Sequence, residues 1–190
     1  MRVFVALELP GEFLRALKNS LGPLREKHPR FRWVEEKNIH ITLAFLGELD
    51  GHGLSLLEEA VRTAARTARA IPISAGRLIT LPRGRPANVL ALGLEGGREE
   101  IAVLASSLEE AIAATGKRDA YPFRKPETRP FTPHITLARR GDRPIDLSPE
   151  ERELPFPARG TINTLRVFRS ELFREGPRYT SLGVHVLGDR

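Results

Sequence analysis

The feature that most constrains the fold of this chain is an octapeptide that occurs twice. His-Ile-Thr-Leu-Ala-Phe-Leu-Gly at residues 40–47 returns as His-Ile-Thr-Leu-Ala-Arg-Arg-Gly at residues 134–141, identical at six of eight positions. The offset of 94 residues is almost half of the 190-residue chain. A repeat at this offset predicts two similar lobes that face each other about a pseudo-two-fold axis, each presenting one copy.

Each copy has the alternation of a strand, and this gives it one polar face. Successive side chains of a strand point to opposite faces, so His40 and Thr42 share one face while the apolar residues beside them face the core. His134 and Thr136 repeat the pattern in the second copy. If the lobes face each other, two imidazoles and two hydroxyls converge on one cleft.

The remaining periodicity predicts an α+β fold. Apolar spacing predicts helices over about 12–27, 54–68 and 101–116. Alternating or apolar runs predict strands over 3–9, 31–34, 39–46, 71–81, 88–94, 134–139, 158–170 and 179–187. Several of these strands follow one another without a helix between them, which favours antiparallel sheets. We therefore expect residues 1–190 to form one bilobal domain, with two mainly antiparallel sheets facing a central cleft and helices outside.

Composition narrows the class of partner and chemistry. Thirty basic residues against 24 acidic ones give a net charge of +6, which favours a polyanionic partner such as nucleic acid. The absence of cysteine excludes disulfides, thiolate metal sites and thiol nucleophiles. No apolar run approaches the length of a membrane span, and the N-terminus lacks the pattern of a secretory signal. We expect a cytoplasmic, monomeric protein without a membrane partner.

The scarcity of thermolabile residues adds an expectation about stability. Glutamine is absent, and asparagine and methionine are scarce. This predicts a thermophile protein that melts above the mesophile range of roughly 45–65 °C.

The paired motifs suit proton transfer on a small anion. One imidazole can act as base and the other as acid, because the ordinary pKa of histidine lies near neutrality. Threonine hydroxyls can donate hydrogen bonds to phosphate oxygens, and phosphoryl transfer needs groups on opposite sides of phosphorus. Two alternatives stay open: a structural duplication with partnered polar groups, and a zinc site. No acid or cysteine stands at ligand spacing beside either motif, so we expect neither a metal nor another cofactor.

A long irregular segment, 117–133, precedes the second motif. Lys125 and Arg129 supply charge that would track an RNA backbone, and the rings of Tyr121 and Phe123 would stack on bases. The alternative is a solvated loop whose aromatic side chains fold back into the core.

The doubled motif resembles that of the two-histidine phosphoesterase superfamily, and within it the bacterial and archaeal RNA 2′,3′-cyclic phosphodiesterases, historically called 2′-5′ RNA ligases. The segments that carry the resemblance are 2–10, 32–34, 38–48 and 131–139. The resemblance implies a bilobal α+β fold and metal-independent opening of a 2′,3′-cyclic phosphate at an RNA 3′ end, leaving a 2′-phosphate. The partner would be an RNA that carries such an end, with tRNA fragments as one candidate.

The resemblance also implies roles for the motif residues. His40 would be the proton donor to the departing 3′ oxygen, and His134 the acceptor that activates water. Thr42 and Thr136 would hold the phosphate oxygens. The near symmetry of the two copies does not by itself distinguish donor from acceptor.

Two arginines follow the second motif, and one of them is a candidate phosphate contact. Strict alternation places Arg140 on the face of His134, whereas a bulge at the strand end would place Arg139 there. The resemblance favours Arg139.

Three other functions remain open at the level of sequence. The first is ligation of a cyclic phosphate end to a 5′-hydroxyl, which is the same chemistry with a ribose hydroxyl in place of water. The second is a non-catalytic RNA-binding module, and the third is a phosphodiesterase for small cyclic nucleotides or ADP-ribose cyclic phosphate. No Walker motif is present, so no ATP use is expected.

Overall fold

The helices form where apolar side chains recur every three or four residues. A computed structural model describes residues 1–82, 86–125, 131–173 and 176–188. In this part of the chain the helices are α1 (Gly11–Lys27), α2 (Gly51–Thr67), α3 (Arg98–Arg118) and the short α4 (Pro149–Arg152). α1 buries Phe13, Leu17 and Leu21 along one stripe. Asp50 caps the N-terminus of α2, and its side chain accepts a hydrogen bond from the Gly53 amide at 2.7 Å. No helix of the described residues is long and apolar enough to cross a membrane.

The strands form two antiparallel sheets with matching order. They are β1 (Arg2–Glu8), β2 (Arg32–Trp33), β3 (His40–Glu48), β4 (Ile71–Leu81), β5 (Val89–Gly96), β6 (His134–Arg139), β7 (Arg159–Ile162), β8 (Thr164–Phe173) and β9 (Gly176–Val186). One sheet has the order β3-β1-β8-β9 and the other β2-β6-β5-β4-β7. Apart from the added edge strand β2, each motif strand occupies the same place in its sheet. The predicted α+β fold with a pseudo-two-fold repeat is confirmed.

The two sheets share one continuous apolar core. Residues of β1, β3, β5 and β6 that point away from the motif face lie in the same buried cluster as the inner faces of α1, α2 and α3. Strands β3 and β6 contact each other across the two sheets. The two copies of the octapeptide are therefore neighbours in space although they are distant in sequence.

One predicted strand is wrong, because it is in fact two strands in different sheets. The prediction was a single strand over 158–170, but the chain passes from one sheet to the other at Asn163. Ile162 pairs with Ile71 in the five-stranded sheet, whereas Leu165 pairs with Leu7 in the four-stranded sheet. Alternation of apolar and polar residues reports which face is buried, and it does not report which strand lies alongside.

The polar segment 142–157 contains a short helix that the sequence pattern did not predict. Ser148 and Glu151 form a reciprocal capping box at the start of α4. The buried carboxylate of Glu151 also accepts from Lys27 at 2.7 Å and from His28 at 2.9 Å. Burial alone would raise the pKa of Glu151, but these bonds and the Ser148 amide lower it to about 2. Glu151 thus ties the end of α1 to α4.

Candidate active site

His40 is held by hydrogen bonds at both ring nitrogens. Nδ1 lies 2.8 Å from the carbonyl oxygen of Asn38, and Nε2 lies 3.0 Å from the hydroxyl of Thr42. A carbonyl oxygen can only accept, so Nδ1 carries the proton and donates it to Asn38. Nε2 of the neutral ring then accepts from the Thr42 hydroxyl. The side chain that the motif places on the polar face of β3 is fixed in one tautomer.

His134 is anchored in the same way in the other sheet. Its Nδ1 donates to the carbonyl oxygen of Thr132 at 2.8 Å, so the acceptor again lies two residues upstream. His134 and Thr136 are half-buried on the same face of β6. In both copies the backbone fixes Nδ1 and leaves Nε2 as the nitrogen available for proton transfer.

The two motifs lie close enough for their charges to interact. Strands β3 and β6 are in contact, and besides burial the charges of Arg139 and of a protonated His134 lower the pKa of His40. His40, His134 and Arg139 therefore lie near one another where the motif strands of the two sheets meet, a region that we call the cleft.

Aromatic side chains surround the imidazole of His40. The ring of Phe4 lies 5.0 Å away, the edge of Tyr179 lies 5.5 Å away at 78°, and Phe168 lies 6.2 Å away. Burial is the largest effect on the pKa of His40 and lowers it to about 4, although the bond to the Asn38 carbonyl acts in the opposite direction. In the free cleft at neutral pH, His40 is uncharged.

The residues that bury His40 were not among the predicted site residues. The amide of Asn38 donates from Nδ2 to the carbonyl oxygen of Pro177 at 3.3 Å, which holds the β8–β9 hairpin close to the turn before β3. The same hairpin supplies Phe168 and Tyr179. Of these residues, only Phe4 could be predicted from the sequence, because alternation in β1 places it on the same face as Glu8, opposite to the residues that enter the core.

A bulge in β6 decides between the two arginines. β5 pairs Leu90 with Ala138 and Ala91 with Thr136, so the pairing skips Leu137. This extra residue turns Arg139 onto the face of Thr136. Strict alternation, which selected Arg140 for this face, was therefore wrong.

Arg139 and Arg140 have different environments. Arg139 lies near His40 and also near Tyr179, whose pKa is raised by burial and lowered by the charges of Arg139 and Arg2. Arg140 follows the strand, where its amide donates to Asn88 at 2.8 Å and its carbonyl accepts from Arg32 at 3.0 Å. Both of these contacts use the backbone of Arg140 and leave its side chain exposed.

The aromatic residues before the second motif fold back onto the helices. Tyr121 donates its hydroxyl to Asp50 at 3.1 Å, and its ring lies 4.7 Å from that of Phe123. Asp50 lies two residues beyond the end of β3 that is opposite to His40, and β3 (His40–Glu48) itself spans roughly 26 Å. The structure thus places Tyr121 and Phe123 against the core and does not bring them to the histidines.

The structure describes some of the basic residues of segment 117–133 and not others. Lys125 is exposed, and the neighbouring Arg124 donates from its guanidinium to the carbonyl oxygen of Phe45 on β3. Arg129 lies outside the described residues.

The other histidines have partners away from the cleft. His28 bonds to Glu151, His185 bonds to Glu58 at 2.7 Å, and His52 packs against Tyr121. Across the described ranges, no group of three or more His, Asp or Glu side chains is placed to hold a metal ion.

Removing the ring of Tyr179 should raise the pKa of His40. The ring contributes to the burial that lowers this pKa to about 4, so Tyr179→Ala should move it toward the ordinary value of 6.5. An NMR titration of the His40 ring protons measures the change, with Leu172→Ala, an exposed position on the same hairpin, as the control. An unchanged pKa in Tyr179→Ala would show that the hairpin does not control this imidazole.

The fold and the site together define a class of protein: a bilobal α+β protein with one His-x-Thr motif on each of two facing strands. The sequence model of the 2′-5′ RNA ligase superfamily matches residues 12–172, and the chain belongs to this superfamily. The family resemblance in the sequence is thereby confirmed.

Individual relatives agree with this assignment. A protein named RNA 2′,3′-cyclic phosphodiesterase from Thermus thermophilus is 32% identical over 197 residues, covering 96% of this chain and 88% of the relative. One of the same name from Geobacillus stearothermophilus is 31% identical over 97% of this chain, and the chain spans 56% of the length of that relative. The crystal structure of Escherichia coli LigT in apo form matches with a TM-score of 0.74 at 26% identity, covering 99% of this chain and 98% of that one. LigT has also been solved with phosphate and with 3′-AMP.

Proposed function

We propose that this protein hydrolyses the 2′,3′-cyclic phosphate at the 3′ end of an RNA and leaves a 2′-phosphate. The observation that carries the proposal is the pair of imidazoles, each anchored through Nδ1 to a backbone carbonyl, on strands that contact each other. The relatives named RNA 2′,3′-cyclic phosphodiesterase support the substrate class.

The proposed reaction uses one imidazole on each side of phosphorus. Nε2 of His134 takes a proton from water, and the water oxygen forms a new bond to phosphorus. The bond between phosphorus and the 3′ oxygen breaks, and Nε2 of His40 donates its proton to that oxygen. The 2′ oxygen keeps the phosphate, so atoms and charge balance with one water consumed. The hydroxyls of Thr42 and Thr136 donate to the non-bridging oxygens as charge builds on them.

The substrate itself prepares His40 for the role of acid. In the free cleft His40 is neutral, because its pKa is about 4. A bound phosphate anion beside the ring favours the charged form and raises this pKa. It also accepts the Thr42 hydroxyl bond, which frees Nε2 of His40 to carry a proton. Arg139, at the same cleft, stabilises the anion with its charge.

The test is incubation of the protein with a short oligoribonucleotide that ends in a 2′,3′-cyclic phosphate, followed by separation of the products. We expect an end that carries a phosphomonoester. A product joined to an added RNA with a 5′-hydroxyl would favour ligation, and tight binding without turnover would favour a binding module.

Activity should be unchanged by EDTA. Both Nδ1 atoms are engaged by carbonyl oxygens, and no third His, Asp or Glu group joins the histidines within the described residues, so the donor set is poor for zinc. Rates measured before and after dialysis against EDTA provide the check. Loss of turnover that zinc or another divalent ion restores would contradict a metal-independent reaction.

A further inference from the structure

Strand β2 makes the two sides of the cleft different. Within the described residues, the four-stranded sheet ends at its motif strand β3, whereas the five-stranded sheet continues past its motif strand β6 to β2. β2 consists of Arg32 and Trp33, which pair with Arg139 and Ala138. Since the strand order of the two lobes otherwise matches, β2 adds side chains to one side of the cleft only.

Trp33 anchors β2 to the body of the protein. Its indole nitrogen donates to the carbonyl oxygen of His28 at 3.0 Å, and its ring packs against the core with the guanidinium of Arg25 at 5.3 Å. Arg25 also donates to the carbonyl oxygen of Val34 at 3.2 Å. Because successive side chains of a strand point to opposite faces, this anchoring turns Arg32 away from the core and toward the cleft.

Arg32 and Arg139 lie side by side on the cleft face. They are directly opposite each other in neighbouring antiparallel strands, so their Cα atoms are about 4.5–5.5 Å apart and their side chains share one face. Like charges in such positions repel each other. In the described part of the chain, no carboxylate forms an ion pair with either guanidinium. A bound anion would relieve this repulsion.

Arg32 is held in place by one hydrogen bond and keeps its other donors. Its Nε donates to the carbonyl oxygen of Arg140 at 3.0 Å, and the side chain is exposed. A guanidinium has five N–H donors, so this bond leaves four on the two terminal nitrogens. These donors suit the paired hydrogen bonds that a guanidinium forms with two oxygens of a phosphate.

We infer that Arg32 binds the phosphate on the 5′ side of the 3′-terminal nucleotide, while the neighbouring Arg139 contacts the cyclic phosphate. The inference rests on the proposed function and adds a second phosphate site to it. Because the cyclic phosphate is the last group of the RNA, the next phosphate can lie only on the 5′ side, one ribose away. Arg32 thus sets the direction in which the RNA leaves the cleft. It also distinguishes an RNA end from a cyclic mononucleotide, which lacks the second phosphate.

The test compares two dinucleotides that differ in one charge. Both are adenylyl-adenosine with a 2′,3′-cyclic phosphate, joined in one by the ordinary phosphodiester and in the other by a neutral methylphosphonate. The wild type should hydrolyse the charged dinucleotide with about 10-fold higher kcat/KM, the lower end for hydrogen bonds to a charged group because the site is exposed. Arg32→Met should lose this preference and keep its kcat/KM for the neutral dinucleotide. Arg62→Met, an exposed position on α2, removes the same charge elsewhere and should keep the preference.

Each outcome decides the inference separately from the proposed function. Equal kcat/KM for both dinucleotides in the wild type, or a preference that persists in Arg32→Met, would overturn the second phosphate site while the hydrolase stands. Arg32→Gln provides the same comparison if Arg32→Met does not fold. If the wild type hydrolyses neither dinucleotide, the proposed function fails.

Calorimetry then tests the second phosphate site alone. The ligands are the same two dinucleotides with a terminal 2′-phosphate in place of the cyclic phosphate. The wild type should bind the charged one more tightly, and Arg32→Met should bind the two equally. A preference for the charged ligand that survives in Arg32→Met would overturn the inference.

Discussion

Replacing either motif histidine with alanine should lower the rate of cyclic phosphate hydrolysis by about 10²–10⁴-fold, the usual contribution of general acid–base catalysis. The variants should remain folded, because both imidazoles are only half-buried and their hydrogen bonds are local. Single-turnover rates on an oligoribonucleotide with a cyclic phosphate end measure the effect. His52→Ala is the control, since His52 packs against Tyr121 away from the cleft.

The leaving group separates the two roles. A substrate whose leaving oxygen is already stable as an anion needs little protonation, so His40→Ala should be partly spared on it. His134→Ala should lose the full factor, because water still needs its base. Sparing of His134→Ala in place of His40→Ala would reverse the assignment, and near-normal activity of both variants would contradict the two-histidine mechanism.

The low pKa of His40 in the free protein makes the comparison of the two substrates informative. The resemblance implies that His40 donates a proton, yet its pKa of about 4 leaves the free ring uncharged at neutral pH. Donation therefore depends on the bound anion, and the rate should follow a bell in pH whose falling limb reports His40 in the complex. Addition of a phosphate-bearing product analogue should raise the pKa of His40 in an NMR titration.

The lowered pKa of His40 also makes the stability of the fold depend on pH. The unfolded imidazole has an ordinary pKa near 6.5, so as the pH falls the unfolded state binds this proton before the folded state does. The contribution of neutral His40 to the free energy of unfolding is complete above pH 6.5 and is lost as the pH falls toward 4.

Replacing Arg139 with methionine should lower kcat/KM by about 10- to 150-fold. The estimate follows from a net contribution of about 1.5–3 kcal/mol for a hydrogen bond to a charged group. Methionine keeps much of the length of the side chain and removes its charge and donors. The bulge at Leu137 turns Arg139 to the cleft, whereas the backbone of Arg140 is held at the exposed end of the strand.

Arg140→Met is the matched control for this prediction. It removes the same charge one residue away, and its kcat/KM should stay close to that of the wild type at a fixed salt concentration. Equal losses in the two variants would show that general positive charge, and not the position of Arg139, attracts the substrate.

The sequence predicted the parts of the fold that depend on local patterns. Periodicity located α1, α2, α3 and most strands, and the repeat predicted the matching order of two sheets. The joined strand over 158–170 was wrong because the change of sheet at Asn163 depends on which distant strand supplies hydrogen bonds, and alternation carries no such information.

The surroundings of the site depended on contacts that the sequence does not show. The motif identified the two histidines. The burial of His40, however, depends on Phe168 and Tyr179, which lie on a hairpin more than a hundred residues later in the chain. The face of Arg139 depends on a bulge that is visible only in the pairing of β5 with β6. The aromatic residues of the loop before β6 looked equally suited to RNA and to the core, and only their contacts show that they pack against the core.

In the proposed reaction, one histidine directs water onto phosphorus and the other helps to release the 3′ oxygen. The most direct test is hydrolysis by EDTA-treated protein in ¹⁸O-labelled water of an oligoribonucleotide with a cyclic phosphate end, with the product examined by ³¹P NMR and mass spectrometry. We expect a 2′-phosphate that carries one ¹⁸O atom. A 3′-phosphate, a joined product without label, or turnover that requires an added metal would contradict it.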